Sequence, residues 1–227
     1  MDAPFAEREE AALGLLRTAL EAHKGKIALV SSFGTESAVL LDMGARIDRA
    51  LPVIFLDTGR LFPDTIAYRN ALLARLHLRD VRTVRPSPAQ LAELDPDGTL
   101  FRRDPDLCCA IRKTMPLDDA LQGFTAWISG RKRGQSTGRA EIEPIETGPD
   151  GRTIINPLYD WARADIEDCF AARRLPRHPL QAEGFPSIGC ATCTRRVLPG
   201  EAPRDGRWSG TGKTECGIFL ARPAIAA

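Results

Sequence analysis

Five cysteines have the spacing expected of metal or sulfur chemistry, and the spacing separates two roles. Cys190 and Cys193 form a CxxC pair, the shortest loop that lets two thiolates grip one metal centre. Cys216 stands alone on a basic, glycine-rich tail without a close cysteine neighbour. A thiolate placed in this way is a candidate nucleophile. Cys108 and Cys109 are adjacent, and the question for them is which of these two roles they serve.

Cys108, Cys109, Cys190 and Cys193 form two pairs far apart in the sequence, and four thiolates suit either Zn²⁺ or an iron–sulfur cluster. Neighbouring side chains on a helix diverge by about 100°. A cluster with separate iron corners accommodates this divergence better than a single ion does, so the spacing favours the cluster. Buried free thiols and a disulfide between Cys108 and Cys109 remain as alternatives. Cys169 lies on an apolar helical face and is interpreted as a core residue.

Composition describes an ordinary globular chain. The 227 residues are 43% hydrophobic and 27% charged, with a net charge of +1, which gives no general argument for binding nucleic acid or a membrane surface. The N-terminus lacks the basic and apolar regions of a signal peptide, and no run of about 18 apolar residues occurs. We therefore expect a cytoplasmic protein, where six cysteines indicate metal or redox chemistry rather than structural disulfides.

Buried strands alternate with helices along most of the chain. Short apolar runs at residues 26–31, 52–56, 81–84 and 124–129 predict strands, and helical periodicity between them predicts crossovers, as in a parallel α/β sheet. A hairpin is expected across residues 148–151 and a helix over residues 161–172.

Polar residues follow three of these strands, and ligands bind at the carboxyl ends of parallel strands. A Ser/Gly loop that opens a helix also presents backbone N–H groups to an anion. The competing interpretations are an ordinary helix cap and a solvated charge run. The candidate binding residues are Ser31, Ser32, Gly34, Thr35, Glu36 and Ser37 after the first strand, Asp57, Thr58, Gly59 and Arg60 after the second, and Arg131 after the fourth.

Five segments together resemble a known family. They are Ser-Phe-Gly-Thr-Glu-Ser at 32–37, Leu-Asp-Thr-Gly-Arg-Leu at 56–61, Cys108-Cys109 with Lys113, Gly-Cys-Ala-Thr-Cys-Thr-Arg at 189–195, and Lys-Thr-Glu-Cys-Gly at 213–217. This combination resembles the assimilatory adenylyl-sulfate (APS) reductases, the iron–sulfur branch of the phosphoadenylyl-sulfate (PAPS) reductase family.

The resemblance implies a doubly wound, mostly parallel α/β sheet of the adenine nucleotide alpha hydrolase type, related to the PP-loop enzymes. It implies a reductase domain over residues 1–198 and a mobile tail over residues 199–227 that carries Cys216. It also implies a 4Fe-4S cluster on Cys108, Cys109, Cys190 and Cys193. Matching positions suggest four anion-binding groups: Lys113, Arg131, Arg204 and Arg207.

The implied activity is thioredoxin-dependent reduction of APS to sulfite and AMP through an S-sulfocysteine on Cys216, as part of sulfate assimilation. The implied reductant is thioredoxin or a glutaredoxin-like protein, no nucleic acid or membrane is involved, and a homo-oligomer is compatible with the chain. Family members with the cluster typically use APS, and members without it typically use PAPS.

Two positions depart from the family pattern. Phe219 stands where a histidine is usual, and Gly134 stands where an aspartate is common. The alternatives are a PAPS reductase with the same mechanism, a PP-loop ATP pyrophosphatase or sulfurtransferase acting on tRNA, and an iron–sulfur sensor that binds a nucleotide. The loop at 32–37 lacks the second glycine and the aspartate of the pyrophosphatase motif, and a sensor has no need of Cys216.

Overall fold

The computed structural model describes residues 5–219, and within them the chain folds around one six-stranded sheet. The strands are β1 (Ile27–Ser31), β2 (Val53–Leu56), β3 (Val81–Val84), β4 (Ala126–Ile128), β5 (Ile145–Thr147) and β6 (Thr153–Ile155). Their order is β3-β2-β1-β4-β6-β5. The β5–β6 pair is antiparallel, and the other neighbours are parallel. The predicted mostly parallel sheet is therefore confirmed.

Alternate residues of each central strand enter different cores. In β2, Val53 and Phe55 belong to the larger apolar cluster, whereas Ile54 and Leu56 belong to the cluster on the opposite face. Trp127 of β4 joins this second cluster. Because successive side chains of a strand point to opposite faces, a strand covered on both faces is apolar throughout, which explains the apolar runs in the sequence.

Helices cover both faces of the sheet. They are α1 (Phe5–Ala22), α2 (Ser37–Ile47), α3 (Pro63–Leu76), α4 (Pro88–Leu94), α5 (Leu100–Arg103), α6 (Pro105–Cys109), α7 (Met115–Ala120) and α8 (Arg163–Arg173). Residues of α1, α2, α3 and α8 form the larger cluster, and residues of α7 pack on the other face. Within residues 5–219, no helix has the length and apolar character needed to cross a membrane.

A π-helical segment, Ala110–Thr114, joins α6 to α7. A proline often ends a helix, but here the helical chain continues through Pro116. Pro116 occupies the first turn of α7, where the missing N–H of a proline costs little. The π-helical turn contains Lys113, and such turns are frequent at functional sites.

The strand order reverses between β1 and β4, since the chain winds outward from β1 to β3 and then returns to β4. In open α/β sheets this switch point forms the ligand crevice. Residues 199–219 fold back toward this edge without forming a helix or strand. The mobility expected for residues 199–227 stays a prediction, and residues 220–227 lie outside the described residues.

Candidate active site at the carboxyl edge of the sheet

The loop between β1 and α2 is sharply bent and held from two sides. Phe33 has a φ of 49°, which is unusual for a bulky residue, and its fully buried ring packs edge-on against Phe55 at 5.2 Å. Thr35 donates a hydrogen bond from its hydroxyl to the Pro186 carbonyl at 2.9 Å. No side chain caps the start of α2, but the N–H groups of Ser37 and Val39 donate to the Gly34 and Glu36 carbonyls. Anion binding by the N–H groups of this turn stays a prediction.

Glu36 connects this loop to the one after β4. Its carboxylate contacts the Lys132 ammonium at 2.9 Å and accepts a hydrogen bond from the Gln135 side chain at 3.2 Å. The Lys132 side chain is only 5% exposed, so its charge is matched mainly by Glu36. A substrate-binding role for Glu36 stays a prediction.

The four residues after β2 separate into two groups. Thr58 lines the cavity at the switch point, but Asp57, Gly59 and Arg60 are absent from its described lining. Asp57 instead accepts a hydrogen bond from Arg85 at 3.0 Å. Arg60 donates one to the Gly98 carbonyl at 2.8 Å. These two side chains therefore support the loop, and their contact with substrate stays a prediction.

The same loop holds the segment that carries the CxxC pair. The Thr58 hydroxyl lies 3.2 Å from the Cys190 sulfur, Leu61 forms an antiparallel bridge with Cys190, and the Ala191 N–H donates to the Arg60 carbonyl at 2.7 Å. The thiolate segment and the nucleotide-type crevice are therefore joined through backbone hydrogen bonds.

The four cysteines of the predicted centre are free thiols. The charges of three of them act on the fourth, Cys108, and Cys190 also lines the cavity. Cys108, Cys109 and Cys190 are buried, and Cys193 is partly exposed. Burial raises the pKa of Cys108 to about 11, and the neighbouring charges of Cys109, Cys190 and Cys193 add to the rise. Among residues 5–219, no three His, Cys, Asp or Glu side chains are arranged to hold a single metal ion.

The tail leaves this cysteine segment and stays attached to it. Thr194 bridges to Arg207, and the backbone N–H of Trp208 donates to the Cys193 carbonyl at 2.9 Å. Any side chain at Gly206 would collide with the Arg195 carbonyl. A glycine is therefore required at this position of the tail.

Four cationic side chains of the site lie around the ring of Trp208. Its ring is 4% exposed, and four charged groups lie over it, 4.4–6.0 Å from its centroid, within the range of cation–π attraction: Lys113, Arg204, Arg207 and Lys213. Three of the four, Lys113, Arg204 and Arg207, were expected as anion-binding groups because they match positions of the resembled family. The ring that positions them was not predicted.

Cys216 lies half-buried in the wall of the cavity. Its charge acts on Lys113, Arg204 and Arg207, which places all three within electrostatic reach of the sulfur. Arg131 also lines the cavity, where its guanidinium contacts Glu146 at 2.5 Å. The structure thus brings the predicted nucleophile together with the predicted cations.

Arg139 is a site residue that sequence reasoning missed. Its guanidinium donates two hydrogen bonds to the Glu215 carboxylate, at 2.8 and 2.6 Å, and Ser136 donates a third at 3.2 Å. Arg204 lies 3.4 Å from the same carboxylate. The only sequence signal is one arginine in an irregular stretch, which does not indicate a partner 76 residues later.

The cavity between these loops has a volume of about 370 Å³, which lies within the range of small-molecule sites. Its lining combines polar groups, namely the Ser/Gly loop, the cations and Cys216, with apolar side chains such as Leu40 and Ile166. A ligand that has both anionic and apolar groups fits this composition.

Sequence comparison relates this chain to reductases of one family. Residues 26–196 match the family model described as the phosphoadenosine phosphosulfate reductase domain. A protein of Mesorhizobium japonicum named adenosine 5'-phosphosulfate reductase is 48% identical over 205 residues, covering 90% of this chain and 80% of that protein. A protein of Gloeobacter violaceus named phosphoadenosine 5'-phosphosulfate reductase is 41% identical over 209 residues, covering 90% and 86%.

A solved structure has the same fold. The phosphoadenylyl-sulfate (PAPS) reductase of Candida auris, a phosphate complex, superposes with a TM-score of 0.71 at 23% identity. The match covers 86% of this chain and 99% of that one. At this identity the match supports the architecture alone.

Proposed function

The chain belongs to the phosphoadenosine phosphosulfate reductase family, and from that premise we propose that it reduces adenylyl sulfate to sulfite and AMP. The observation that most supports this reaction is the position of Cys216 in the cavity wall, within reach of Lys113, Arg204 and Arg207. A thiolate among cations is suited to attack an anionic group and to stabilise the charge that develops.

The first step is a displacement at sulfur. The Cys216 thiolate attacks the sulfate sulfur of APS, an S–S bond forms, the bond from sulfur to the phosphate oxygen breaks, and AMP leaves with that electron pair. The enzyme then carries S-sulfocysteine. Lys113, Arg204 and Arg207 stabilise the departing phosphate and the sulfonyl oxygens, and an arginine can contact two oxyanions at once.

The second step regenerates the enzyme. A thiolate of a dithiol protein, thioredoxin or a glutaredoxin-like protein, attacks the Cys216 sulfur, and sulfite leaves with the electron pair of the S–S bond. The second thiol of the reductant then attacks the mixed disulfide, which releases Cys216 and oxidises the reductant. The sulfate sulfur gains two electrons overall, and the dithiol supplies both.

The residues present fit a 4Fe-4S cluster. Cys108, Cys109, Cys190 and Cys193 are free thiols whose charges act on one another, and they do not form a single-ion site within the described chain. The thiolates of these four cysteines would hold the cluster, which does not need ligands that converge on one ion. The cluster would supply fixed charge near Lys113 and the tail.

Substituting Cys216 by Ser is the direct test. We expect the variant to produce no sulfite from APS and thioredoxin while it retains iron, and mass spectrometry of the wild-type protein after mixing with APS to find an added SO₃ on Cys216. A Cys169→Ser control changes a fully buried cysteine outside the site and should retain the adduct. Sulfite production by Cys216→Ser would contradict the proposal.

PAPS is the second candidate substrate, since one similar relative carries the PAPS reductase name. Comparison of kcat/KM for APS and PAPS with the same reductant decides between them. We expect a clear preference for APS, and equal or reversed values would assign the chain to PAPS.

A further inference from the structure

Phe219 lies between two side chains of the sheet edge. Its ring stacks on Trp127 of β4 with a centroid distance of 5.0 Å and an interplanar angle of 23°. From the other direction, the guanidinium carbon of Arg131 lies 3.7 Å from the centroid of the same ring. A ring between an indole and a guanidinium combines aromatic stacking with cation–π attraction.

The receiving side of this sandwich is fixed independently of the tail. Arg131 donates to Glu146 at 2.5 Å, and Glu146 also accepts from Asn156 at 2.5 Å. Asn156 is fully buried and accepts a hydrogen bond from Ser129 at 2.7 Å. Because residues of β5 and of the ends of β4 and β6 set the position of Arg131, the tail meets a preformed slot.

We propose that Phe219 is a positioning residue whose insertion between Trp127 and Arg131 holds the tail closed and keeps Cys216 against the cations. This inference rests on the proposed function. The tail is then held on both sides of the nucleophile, by Glu215 before it and by Phe219 three residues after it.

The two attachments differ in kind. The ion pairs of Glu215 weaken with salt, whereas a stacked ring depends mainly on buried surface and ring electrostatics. Phe219 does not titrate, unlike the histidine usual at this position in the family, so its hold is independent of pH. The competing explanation is simple apolar burial, since Ile218 and Phe219 both pack against the α7-side cluster.

The test measures how often the tail opens, with no nucleotide present. Full-length protein with its metal centre is treated with iodoacetamide, and alkylation of Cys216 is followed by mass spectrometry in the wild type, Phe219→Ala and Phe219→Leu. Leucine keeps apolar bulk and removes the ring. Fully buried Cys169 is the internal control for global unfolding, and Leu198→Ala, at a side chain that is 62% exposed, is the control variant.

We expect both Phe219 variants to be alkylated at Cys216 about tenfold faster than the wild type, while Cys169 stays protected and Leu198→Ala behaves as the wild type. A wild-type rate in Phe219→Ala would overturn the proposal. If Phe219→Leu alone is alkylated at the wild-type rate, apolar burial rather than ring stacking holds the tail, and the proposal is also overturned.

Arg131→Gln is a second variant, should the alanine variant misfold. Glutamine retains a donor toward Glu146 and removes the cation, so we expect a smaller increase in Cys216 alkylation, and no increase would overturn the role of the guanidinium. Because alkylation needs no turnover, faster labelling in protein that forms no sulfite from APS would count against the proposed function alone.

Discussion

Glu215, the residue immediately before Cys216, is held through its carboxylate by the guanidinium of Arg139 at 2.8 and 2.6 Å. Burial would raise the pKa of this carboxyl, but the hydrogen bonds and charge of Arg139, aided by Arg204 and Ser136, outweigh it and lower the pKa. The residue before the nucleophile is therefore an anionic attachment point for the tail.

Glu215→Gln should loosen the tail. Glutamine has a similar shape but no charge, so the ion pairs with Arg139 and Arg204 are lost, and we expect Cys216 alkylation to rise several-fold at low salt. Added salt should raise the rate of Cys216 alkylation in the wild type toward that of the variant, since salt screens partly exposed ion pairs. Glu183→Gln, which alters an exposed pair with Arg196, is the matched control. Equal rates in Glu215→Gln and the wild type would contradict the attachment.

The same carboxyl predicts how tail closure depends on pH. The pKa of Glu215 is lowered in the closed tail, so its stabilising contribution is complete above the ordinary value of 4.5 and is lost as the pH falls through the lowered value. We expect protease cleavage within residues 209–215 to be constant from pH 8 to 5 and to rise below that. A rise in cleavage centred near neutral pH would show that the titration of a group other than Glu215 controls tail closure.

Lys113→Ala should affect chemistry more than stability. The Lys113 ammonium lies 3.9 Å from the Cys109 sulfur. Burial would lower its pKa, but the charges of Cys190, Cys109 and Cys216 raise it, so the group stays cationic within electrostatic reach of the Cys216 sulfur. Loss of one such charge typically costs 10²–10³-fold, and we expect that loss in kcat/KM for APS. Lys113→Arg should recover part of it, and exposed Lys24→Ala should be neutral. An unchanged kcat/KM in Lys113→Ala would refute this role.

Cys109→Ser tests the predicted cluster. Serine provides a poor iron ligand, so we expect bound iron, acid-labile sulfide and visible absorbance to fall together with sulfite production. Cys169→Ser should retain all four. Normal turnover by an iron-free Cys109→Ser protein would show that the activity does not need a cluster.

Asp95→Asn should be the costliest of these changes for folding. Asp95 contacts Arg112 at 2.5 Å, and the two side chains are 1% and 6% exposed. Removing one partner leaves a buried charge, which costs about 3–5 kcal/mol, measurable as a lower urea midpoint at unchanged slope. Asp97→Asn, in an exposed pair with Arg103, should leave the midpoint unchanged. A urea midpoint of Asp95→Asn equal to that of the wild type would show that the Asp95–Arg112 pair does not stabilise the fold.

Local patterns in the sequence were sufficient for the sheet but not for the site. The runs that became β1, β2 and β4 are apolar because both faces are covered, and their carboxyl ends identified the crevice. The left-handed conformation of Phe33 and the pairing of Arg139 with Glu215 have no such signature. Both depend on which distant segments meet, and periodicity reports only local geometry.

The interpretation of individual loop residues was weaker for the same reason. Asp57 and Arg60 follow a buried strand as binding residues often do, yet Arg85 and Gly98 engage them. Thr58, in the same loop, contacts Cys190. Residue type and position after a strand do not reveal which of three neighbouring side chains turns toward the crevice. The reductant, the oligomeric state and the cytoplasmic location stay predictions.

The π-helical turn of Ala110–Thr114 has a consequence for how this region tolerates insertion and deletion. Each residue added or removed rotates the following side chains by about 100° around the helix, so deleting one residue here would swing Lys113 away from the Cys109 sulfur. A variant of this chain with one residue fewer here would lose the alignment of cation and thiolate even with Cys109 and Lys113 both present.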